Sequence, residues 1–282
     1  MTNIRIVKKA IIPAGGLGKR FLPFTKSLPK EMLPLIDTPA LHYLVKEAYD
    51  SGITDLAIVI NESKRMIQDY FKITHIPENA TMDVVAPLQE LNAMVTNMNI
   101  EFIVQEQPLG LGHAISLCEE FVGGEPFLVI LGDDLVLSRV PCSLQLIAEH
   151  YRTGGTAVLG VQRVPEELVS KYGIVDCTRH NNASEVLSIV EKPSVESAPS
   201  NLAVLGRYIL TPDIFNHLGK ITPGVGGELQ LTDAIGRMID ESRWDEVPVT
   251  ALEFSGTRYD LGSKSGYIDA VIRIAKEYNY LK

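Results

Sequence analysis

The sequence predicts an α/β protein with a mostly parallel central sheet, helices on both faces of that sheet and a smaller antiparallel lobe. Over about the first 165 residues, short apolar segments alternate with amphipathic ones, and repeated strand–helix units of this kind form parallel sheets covered on both faces. After about residue 165, three predicted strands follow one another without long helices between them, which indicates the antiparallel lobe. A length of 282 residues allows one large domain or two small ones.

The predicted strands are short apolar runs bounded by polar or turn residues. We expect them, in chain order, at residues 7–14, 55–60, 100–105, 126–131, 156–164, 172–176, 186–191, 202–210 and 249–254. Two of them end directly at segments rich in glycine or aspartate, at residues 15–20 and 132–134. Because ligands on such sheets bind at the carboxyl ends of the strands, we expect these two segments to share one crevice.

The predicted helices follow from apolar residues at helical spacing. The first, at residues 39–51, places Leu41, Leu44, Val45 and Ala48 on one face and ends before Gly52. We expect five more at residues 62–71, 111–121, 143–152, 228–242 and 264–279. Residues 75–99 contain two prolines with scattered Met and Asn, and there we expect a mobile connection with a helix inside it.

The composition narrows the classes of function. A formal net charge of -9 argues against general binding of nucleic acid, because such binding needs a basic surface. The three cysteines lie far apart without metal-ligand spacing, so we expect reduced, buried thiols in a cytoplasmic protein. The apolar stretch at residues 10–14 is too short for a signal-peptide core, and no apolar run reaches membrane-spanning length.

The glycine-rich turn after the first strand is the most informative segment. Its glycines allow backbone N–H groups to close around an anion, and four cationic side chains follow within a dozen residues: Lys19, Arg20, Lys26 and Lys30. The spacing is not that of a dinucleotide fingerprint, nor of a Walker loop, since Arg20 stands where Ser or Thr is required. An ordinary strand-to-helix turn would not explain so many cations, so the segment predicts a polyphosphate site.

Asp133 and Asp134 follow the strand at residues 126–131, at a position suited to Mg²⁺, which binds carboxylates together with phosphate oxygens. Alternation along a strand sends the two side chains to opposite sides, so the residues alone leave open which one faces the site. A turn or a helix cap is an equally good explanation of this pair.

Other segments are ambiguous when taken singly. The amide of Gln105 has a donor and an acceptor for a base edge, whereas a packing or capping role suits His113 better than acid–base chemistry. Lys192 could bind a phosphate and Glu191 sugar hydroxyls, although an exposed strand end explains both equally well.

Taken together, five segments resemble the bacterial UTP–glucose-1-phosphate uridylyltransferases, also called UDP-glucose pyrophosphorylases. They occur in the family's order at residues 9–15, 25–34, 109–114, 191–193 and 230–235. The lysine motif at residues 29–34 is typical of the wider sugar-nucleotidyltransferase superfamily. The sequences of two other segments, at residues 25–26 and 109–114, are typical of the uridylyltransferase branch.

The resemblance implies a Rossmann-like nucleotidyltransferase fold in a single domain over residues 1–282. Residues up to about 165 would form the nucleotide-binding part, about 166–255 the sugar-binding part, and about 256–282 a C-terminal helix in contact with another subunit. It also implies an enzyme that forms UDP-glucose and diphosphate from UTP and α-D-glucose 1-phosphate with Mg²⁺, as a homodimer or homotetramer.

The resemblance also implies a role for each residue that matches the family's motifs. Uracil would contact Ala14, Gly15 and Gln105, with Gly110 packed near it. The triphosphate would lie against Gly16, Gly18, Arg20 and Lys30, with Lys26 beside them.

For the metal, the resemblance favours Asp133 over Asp134 and adds Asp260 as a second carboxylate. Glucose would contact Gly173 and Glu191, and its phosphate Lys192. Catalysis would rest on Arg20, Lys30, Asp133 and Lys192, which offset the repulsion between two anionic substrates and align them for in-line attack.

The chain departs from the family pattern near the glycine turn, at Lys19, Phe24 and Ser27, which puts the nucleotide preference in question. One alternative is therefore a glucose-1-phosphate thymidylyltransferase. A second is a non-catalytic nucleotide-sugar sensor, which would lack the metal-binding carboxylate or the triphosphate-binding cations. Asp133 and the cations are present, which argues against the sensor.

Overall fold

A nine-stranded mixed sheet forms the centre of the molecule in the computed structural model, which describes residues 6–154, 157–180, 183–241 and 249–281. The strands of these residues are β1 Lys9–Pro13, β2 Pro34–Leu35, β3 Thr38–Pro39, β4 Asp55–Ile60, β5 Asn99–Val104, β6 Phe127–Ile130, β7 Asp134–Leu137, β8 Val158–Arg163, β9 Gly173–His180, β10 Ala183–Glu191, β11 Leu202–Leu210, β12 Thr250–Glu253 and β13 Thr257–Asp260.

The sheet has the spatial order β5-β4-β1-β6-β11-β8-β12-β10-β9. Strands β5, β4, β1 and β6 are parallel to one another, as are β8 and β12. Strand β11 runs antiparallel to β6 and β8, and β10 runs antiparallel to β9 and β12. The predicted parallel part and the antiparallel strands after about residue 165 are both present, and the antiparallel strands extend the same sheet.

Helices cover both faces of the sheet. In the described residues they are α1 Ala40–Asp50, α2 Arg65–Tyr70, α3 Met82–Asn97, α4 Leu111–Ser116, α5 Glu119–Val122, α6 Cys142–Thr153, α7 Asp213–Leu218, α8 Leu231–Glu241 and α9 Lys264–Glu277. Along β4, Leu56 and Ile58 pack in the layer formed with α1, α2, α3 and α6, whereas Ala57 and Val59 pack in the layer formed with α4, α5, α7 and α8. This alternation explains the near-continuous apolar strands and confirms the predicted α/β class. No helix in the described part of the chain is both long and apolar enough to cross a membrane.

Some predicted elements differ from the observed ones. The predicted helix at residues 111–121 is broken into α4 and α5, because Cys118 takes non-helical backbone angles and is fully buried. The predicted helix at residues 62–71 begins with a 3₁₀ turn, Glu62–Lys64, before α2. Within residues 75–99, α3 continues through Pro87, and Leu91 and Met94 on it pack into the core.

A two-stranded sheet of β7 and β13 was absent from the sequence prediction. The two strands are antiparallel, and Asp134 pairs with Asp260 at the end of the ladder. Because this pairing joins segments more than a hundred residues apart, local sequence patterns do not indicate it. It places the 258–262 segment beside the turn that carries Asp133.

A buried ion pair lies next to the turn that carries Asp133. Arg207 on β11 is fully buried, and its Nε and Nη2 donate to the two carboxylate oxygens of Glu47 on α1 at 2.9 and 2.6 Å. Its Nη1 donates to the carbonyl of Asp134 at 2.8 Å. Burial alone would raise the pKa of Glu47, but Arg207 and the hydrogen bonds from Ser143 outweigh it and lower the pKa.

Replacing Arg207 with Met is expected to reduce the free energy of unfolding by about 3–5 kcal/mol at neutral pH, because it leaves a buried carboxylate unpaired. The pKa of Glu47 is depressed in the folded state, so the pair stabilises the fold above the unfolded carboxyl pKa of about 4 and loses that effect as pH falls further. Urea denaturation at several pH values measures this. An Arg237→Met control removes an exposed pair with Glu241, and equal losses for both variants would contradict the account.

Candidate active site

A cavity of about 570 Å³ lies at the carboxyl ends of β1 and β6. The glycine-rich turn at residues 15–20 lines it, together with Lys30, Gln105 and Gly110 and with Asp133 from the turn after β6. The two segments that follow predicted strands therefore share one crevice, as expected from their positions at the carboxyl ends of those strands.

The carbonyl groups of residues 14–16, in and before the glycine turn, are held by side chains that follow β4. Lys64 Nζ donates to the carbonyls of Ala14 and Gly16 at 2.5 and 2.6 Å, and Asn61 Nδ2 donates to the carbonyl of Gly15 at 3.0 Å. In a trans peptide the following N–H points opposite to the C=O. Within the described residues, the N–H groups of residues 15–18 have no protein acceptor. The turn thus offers a row of free N–H donors of the kind that binds phosphate.

Lys64 was not identified as a site residue from the sequence, where it lies inside an ordinary helix prediction. It is 5% exposed, and its three ammonium protons are all used, because Nζ also donates to Glu31 Oε2 at 2.8 Å. Burial lowers the pKa of Lys64, and Glu31 partly offsets this effect. The signal that could have found both tethering residues is position: Asn61 and Lys64 directly follow β4, the neighbour of β1.

A close ion pair joins the cationic and the acidic parts of the cavity. Lys30 Nζ lies 2.7 Å from Asp133 Oδ2. Burial alone would lower the pKa of Lys30, but Asp133 and Glu31 outweigh it and raise the pKa. Burial alone would likewise raise the pKa of Asp133, but Lys30 holds it below its usual value. Both groups are therefore charged at neutral pH.

Asp133 and Asp260 face the same small volume. A Cβ placed on Gly262 would lie 2.8 Å from Asp133 Oδ2, 3.0 Å from Asp260 Oδ1 and 3.3 Å from Arg20 Nη1, so a larger residue there would displace these side chains. Arg20 Nη1 also donates to the Gly262 carbonyl at 3.1 Å. Asp134 points elsewhere: it is buried in an ion pair with Arg258. Of the two adjacent acids, Asp133 is the one that lines the cavity.

The acidic residues suit a metal that takes part of its ligand set from the substrate. No group of three or more His, Cys, Asp or Glu in the described residues is arranged to hold a metal ion alone. One or two carboxylates are the protein ligands that Mg²⁺ commonly uses when phosphate oxygens and water complete its shell. Asp133 and Asp260 therefore fit the metal that the family resemblance implies.

Gln105 lies against the glycine turn at the other end of the cavity. A Cβ on Gly15 would lie 2.7 Å from Gln105 Oε1, so a larger residue at that position would displace the amide from its present place. Gln105 Nε2 lies 2.9 Å from His113 Nδ1 and 3.3 Å from the Gly110 carbonyl. His113 thus orients the amide, which agrees with the packing role expected of it.

Gly173, Glu191 and Lys192 form a cluster of their own. Gly173 on β9 is the register partner of Glu191 on β10, whose Oε2 accepts a 2.7 Å hydrogen bond from Thr232. Lys192 Nζ lies 2.9 Å from Glu191 Oε1 and is exposed. These three residues do not line the 570 Å³ cavity.

A comparison with known proteins identifies the family of this site. A family model described as nucleotidyl transferase matches residues 9–277. The chain belongs to this family.

The most similar relatives narrow the family to one branch. The UTP--glucose-1-phosphate uridylyltransferase of Bacillus subtilis (strain 168) is 44% identical over 279 residues, or 98% of this chain and 94% of the relative. That of Staphylococcus haemolyticus (strain JCSC1435) is 45% identical over 274 residues, or 95% and 92%. A solved UDP-glucose pyrophosphorylase complexed with UDP-glucose is 38% identical, covers 96% of this chain and 100% of its own, and has a TM-score of 0.88. The resemblance, the fold and the transferase class predicted from the sequence are confirmed.

The nucleotidyltransferase fold brings most, but not all, of the predicted site residues to one cavity. Those that line it are Gly15, Gly16, Gly18, Arg20, Lys30, Gln105, Gly110 and Asp133. Ala14 is fully buried behind the turn, and Asp260 lies next to Asp133. Lys26 is exposed at the end of a 3₁₀ turn and does not line the cavity.

Replacing Lys64 with Met is expected to weaken UTP binding by about tenfold to a hundredfold, because the carbonyls of the glycine-rich turn lose their tether and its N–H donors lose their alignment. Isothermal titration calorimetry measures the dissociation constant. A Glu31→Gln/Lys64→Met double variant avoids leaving a buried carboxylate unpaired, and it should show the same weakening.

The matched control for this variant is Lys72→Met. Lys72 is exposed, and its partner Asp69 lies three residues away on the same surface. The control should bind UTP as the wild type does. Unchanged UTP affinity in both the single and the double Lys64 variants would show that the tether does not organise the turn.

Proposed function

We propose that this chain forms UDP-glucose and diphosphate from UTP and α-D-glucose 1-phosphate by direct in-line transfer assisted by Mg²⁺. The observation that carries the proposal is the Lys30–Asp133 ion pair, at 2.7 Å, beside a turn of free N–H donors. The phosphates of a nucleoside triphosphate can replace Asp133 as the partner of Lys30. The divalent cation bound to that nucleotide can replace Lys30 as the partner of Asp133.

In this proposal the triphosphate lies against the glycine turn. The free N–H groups of residues 15–18 face its oxygens, and Arg20 and Lys30 supply positive charge. Lys26, which is exposed beside the turn, attracts the same anion from solvent. The amide of Gln105 reads the uracil edge from the far end of the cavity, with Gly15 giving the base close access to the main chain.

Asp133 and Asp260 would hold Mg²⁺ in this proposal. When bound, Mg²⁺ offsets negative charge on the phosphate oxygens and on the departing diphosphate. Asp133 is available for this role once Lys30 has a phosphate as its new partner. Arg20, which lies near both carboxylates, remains close to the transferred charge.

Glucose 1-phosphate would bind at Gly173, Glu191 and Lys192. Glu191 accepts hydrogen bonds from sugar hydroxyls, and Lys192 contacts the phosphate. A phosphate oxygen of the sugar attacks the α-phosphorus of UTP, a new P–O bond forms, and the bond to the bridging oxygen of diphosphate breaks. The chain's contribution is alignment and charge balance, because two anions must meet and no covalent intermediate is needed.

We further propose a cytoplasmic homodimer or homotetramer that uses α9. Ile268 and Ile272 on this helix and Tyr278, Tyr280 and Leu281 after it are exposed, and their burial against another subunit would remove apolar surface from water. The three cysteines form no disulfide, which suits a reducing compartment.

The wild-type chain is expected to release diphosphate from UTP plus glucose 1-phosphate with Mg²⁺, and to do so faster than from dTTP plus glucose 1-phosphate. A coupled diphosphate assay measures both rates. A higher specificity constant for dTTP would identify a thymidylyltransferase instead. Binding of UDP-glucose without any diphosphate release would identify a sensor.

The two ends of the site should respond separately to substitution in the same assay. Lys192→Ala is expected to raise KM for glucose 1-phosphate by about tenfold to a hundredfold, since it removes one charged phosphate contact, whereas Arg20→Ala should act chiefly on UTP. Equal effects of each variant on both substrates would contradict this division of roles.

A further inference from the structure

Arg258 on β13 links two parts of the site that are far apart in sequence. Its guanidinium pairs with Asp134, to whose Oδ1 its Nε donates at 2.5 Å. Its Nη1 donates to the hydroxyl of Tyr172 at 2.9 Å, and its Cζ lies 4.9 Å from the centre of the Tyr172 ring. The side chain is 13% exposed, so these contacts are made largely out of solvent.

On one side, Arg258 fixes the turn that carries Asp133. Asp134 is the next residue, and its carboxylate is tied to Arg258 while its carbonyl accepts a hydrogen bond from Arg207. The residue next to Asp133 is therefore held by two arginines, the buried Arg207 and the half-buried Arg258. Because Arg207 holds the Asp134 main chain independently of Arg258, the Asp133 end stays in place when Arg258 shifts, and the shift acts on the opposite end of the site.

On the other side, Arg258 is connected to the backbone of Lys192 through Tyr172. The carbonyl of Tyr172, the residue whose hydroxyl and ring Arg258 contacts, accepts a 2.9 Å hydrogen bond from the N–H of Lys192. Lys192 has a φ of 47°, a left-handed conformation that a lysine adopts only when its surroundings hold it there. The Tyr172 carbonyl is one of the contacts that hold it.

We propose that Arg258 is a positioning residue that sets the separation between the Asp133 end and the Lys192 end of the site. This inference rests on the proposed function, in which these ends hold the two reacting phosphates. A ligand that spans both ends, UDP-glucose, depends on their separation. A ligand confined to the nucleotide end, UTP, does not. If Arg258 only stabilised the fold, replacing it would weaken the binding of both ligands.

Tyr172→Phe tests the link while keeping the stacked ring. It is expected to weaken UDP-glucose binding and to lower kcat/KM for glucose 1-phosphate by about tenfold, since it removes a hydrogen bond from a charged donor, and to leave the dissociation constant of UTP unchanged. Arg258→Lys keeps the charge but loses the two-armed contact, so it should show the same pattern with a larger loss. Calorimetry with UTP and with UDP-glucose, together with steady-state kinetics, measures these effects.

Tyr151→Phe is the matched control, because it removes a hydroxyl that accepts from the Val7 N–H away from this site. It should leave both ligands and kcat/KM unchanged. If Tyr172→Phe weakens the binding of UTP and UDP-glucose equally, or changes neither, the inference is wrong. The proposed function would still stand as long as the wild type turns over its substrates. Failure of the wild type to bind UDP-glucose would overturn both.

Discussion

The ion pair between Lys30 and Asp133 is the contact on which the site depends. Lys30 belongs to a 3₁₀ turn shortly after the glycine-rich turn, and Asp133 to the turn that ends β6, so the pair joins two segments a hundred residues apart. Each charge is partly removed from water, and either one alone would carry a desolvation penalty. Paired, they hold the cavity in a charge-balanced state without a ligand.

Neighbouring residues also determine which charged and polar groups face the cavity. Lys64 and Asn61 take the carbonyls of the glycine turn, which leaves its N–H groups for an anion. Arg258 and Arg207 hold Asp134, so the acid next to Asp133 adds no unpaired negative charge to the crevice. The result is a cavity in which Lys30 and Asp133 are paired, although the whole chain carries a net charge of -9.

The features predicted from sequence were those with local patterns. The glycine turn and the Asp133–Asp134 pair each follow a strand end, so strand assignment predicted that the two segments share a crevice, whereas the choice of Asp133 over Asp134 came from the family resemblance. The missed features depend on contacts between distant segments. Lys64 has no distinctive neighbours in sequence, and the β7–β13 pairing that aligns Arg258 and Asp260 with the Asp133 turn joins short strands with weak patterns. The helix through Pro87 formed because burial of Leu91 and Met94 outweighed the proline.

The central claim is that UTP and Mg²⁺ separate the Lys30–Asp133 ion pair. Lys30 then pairs with a phosphate of the nucleotide, and Asp133 binds the metal. A crystal structure of the chain with UTP and Mg²⁺ tests it most directly. The account predicts that Lys30 Nζ leaves Asp133 for a phosphate oxygen and that Asp133 turns toward the metal. Nucleotide bound in the cavity with the 2.7 Å ion pair intact would contradict it.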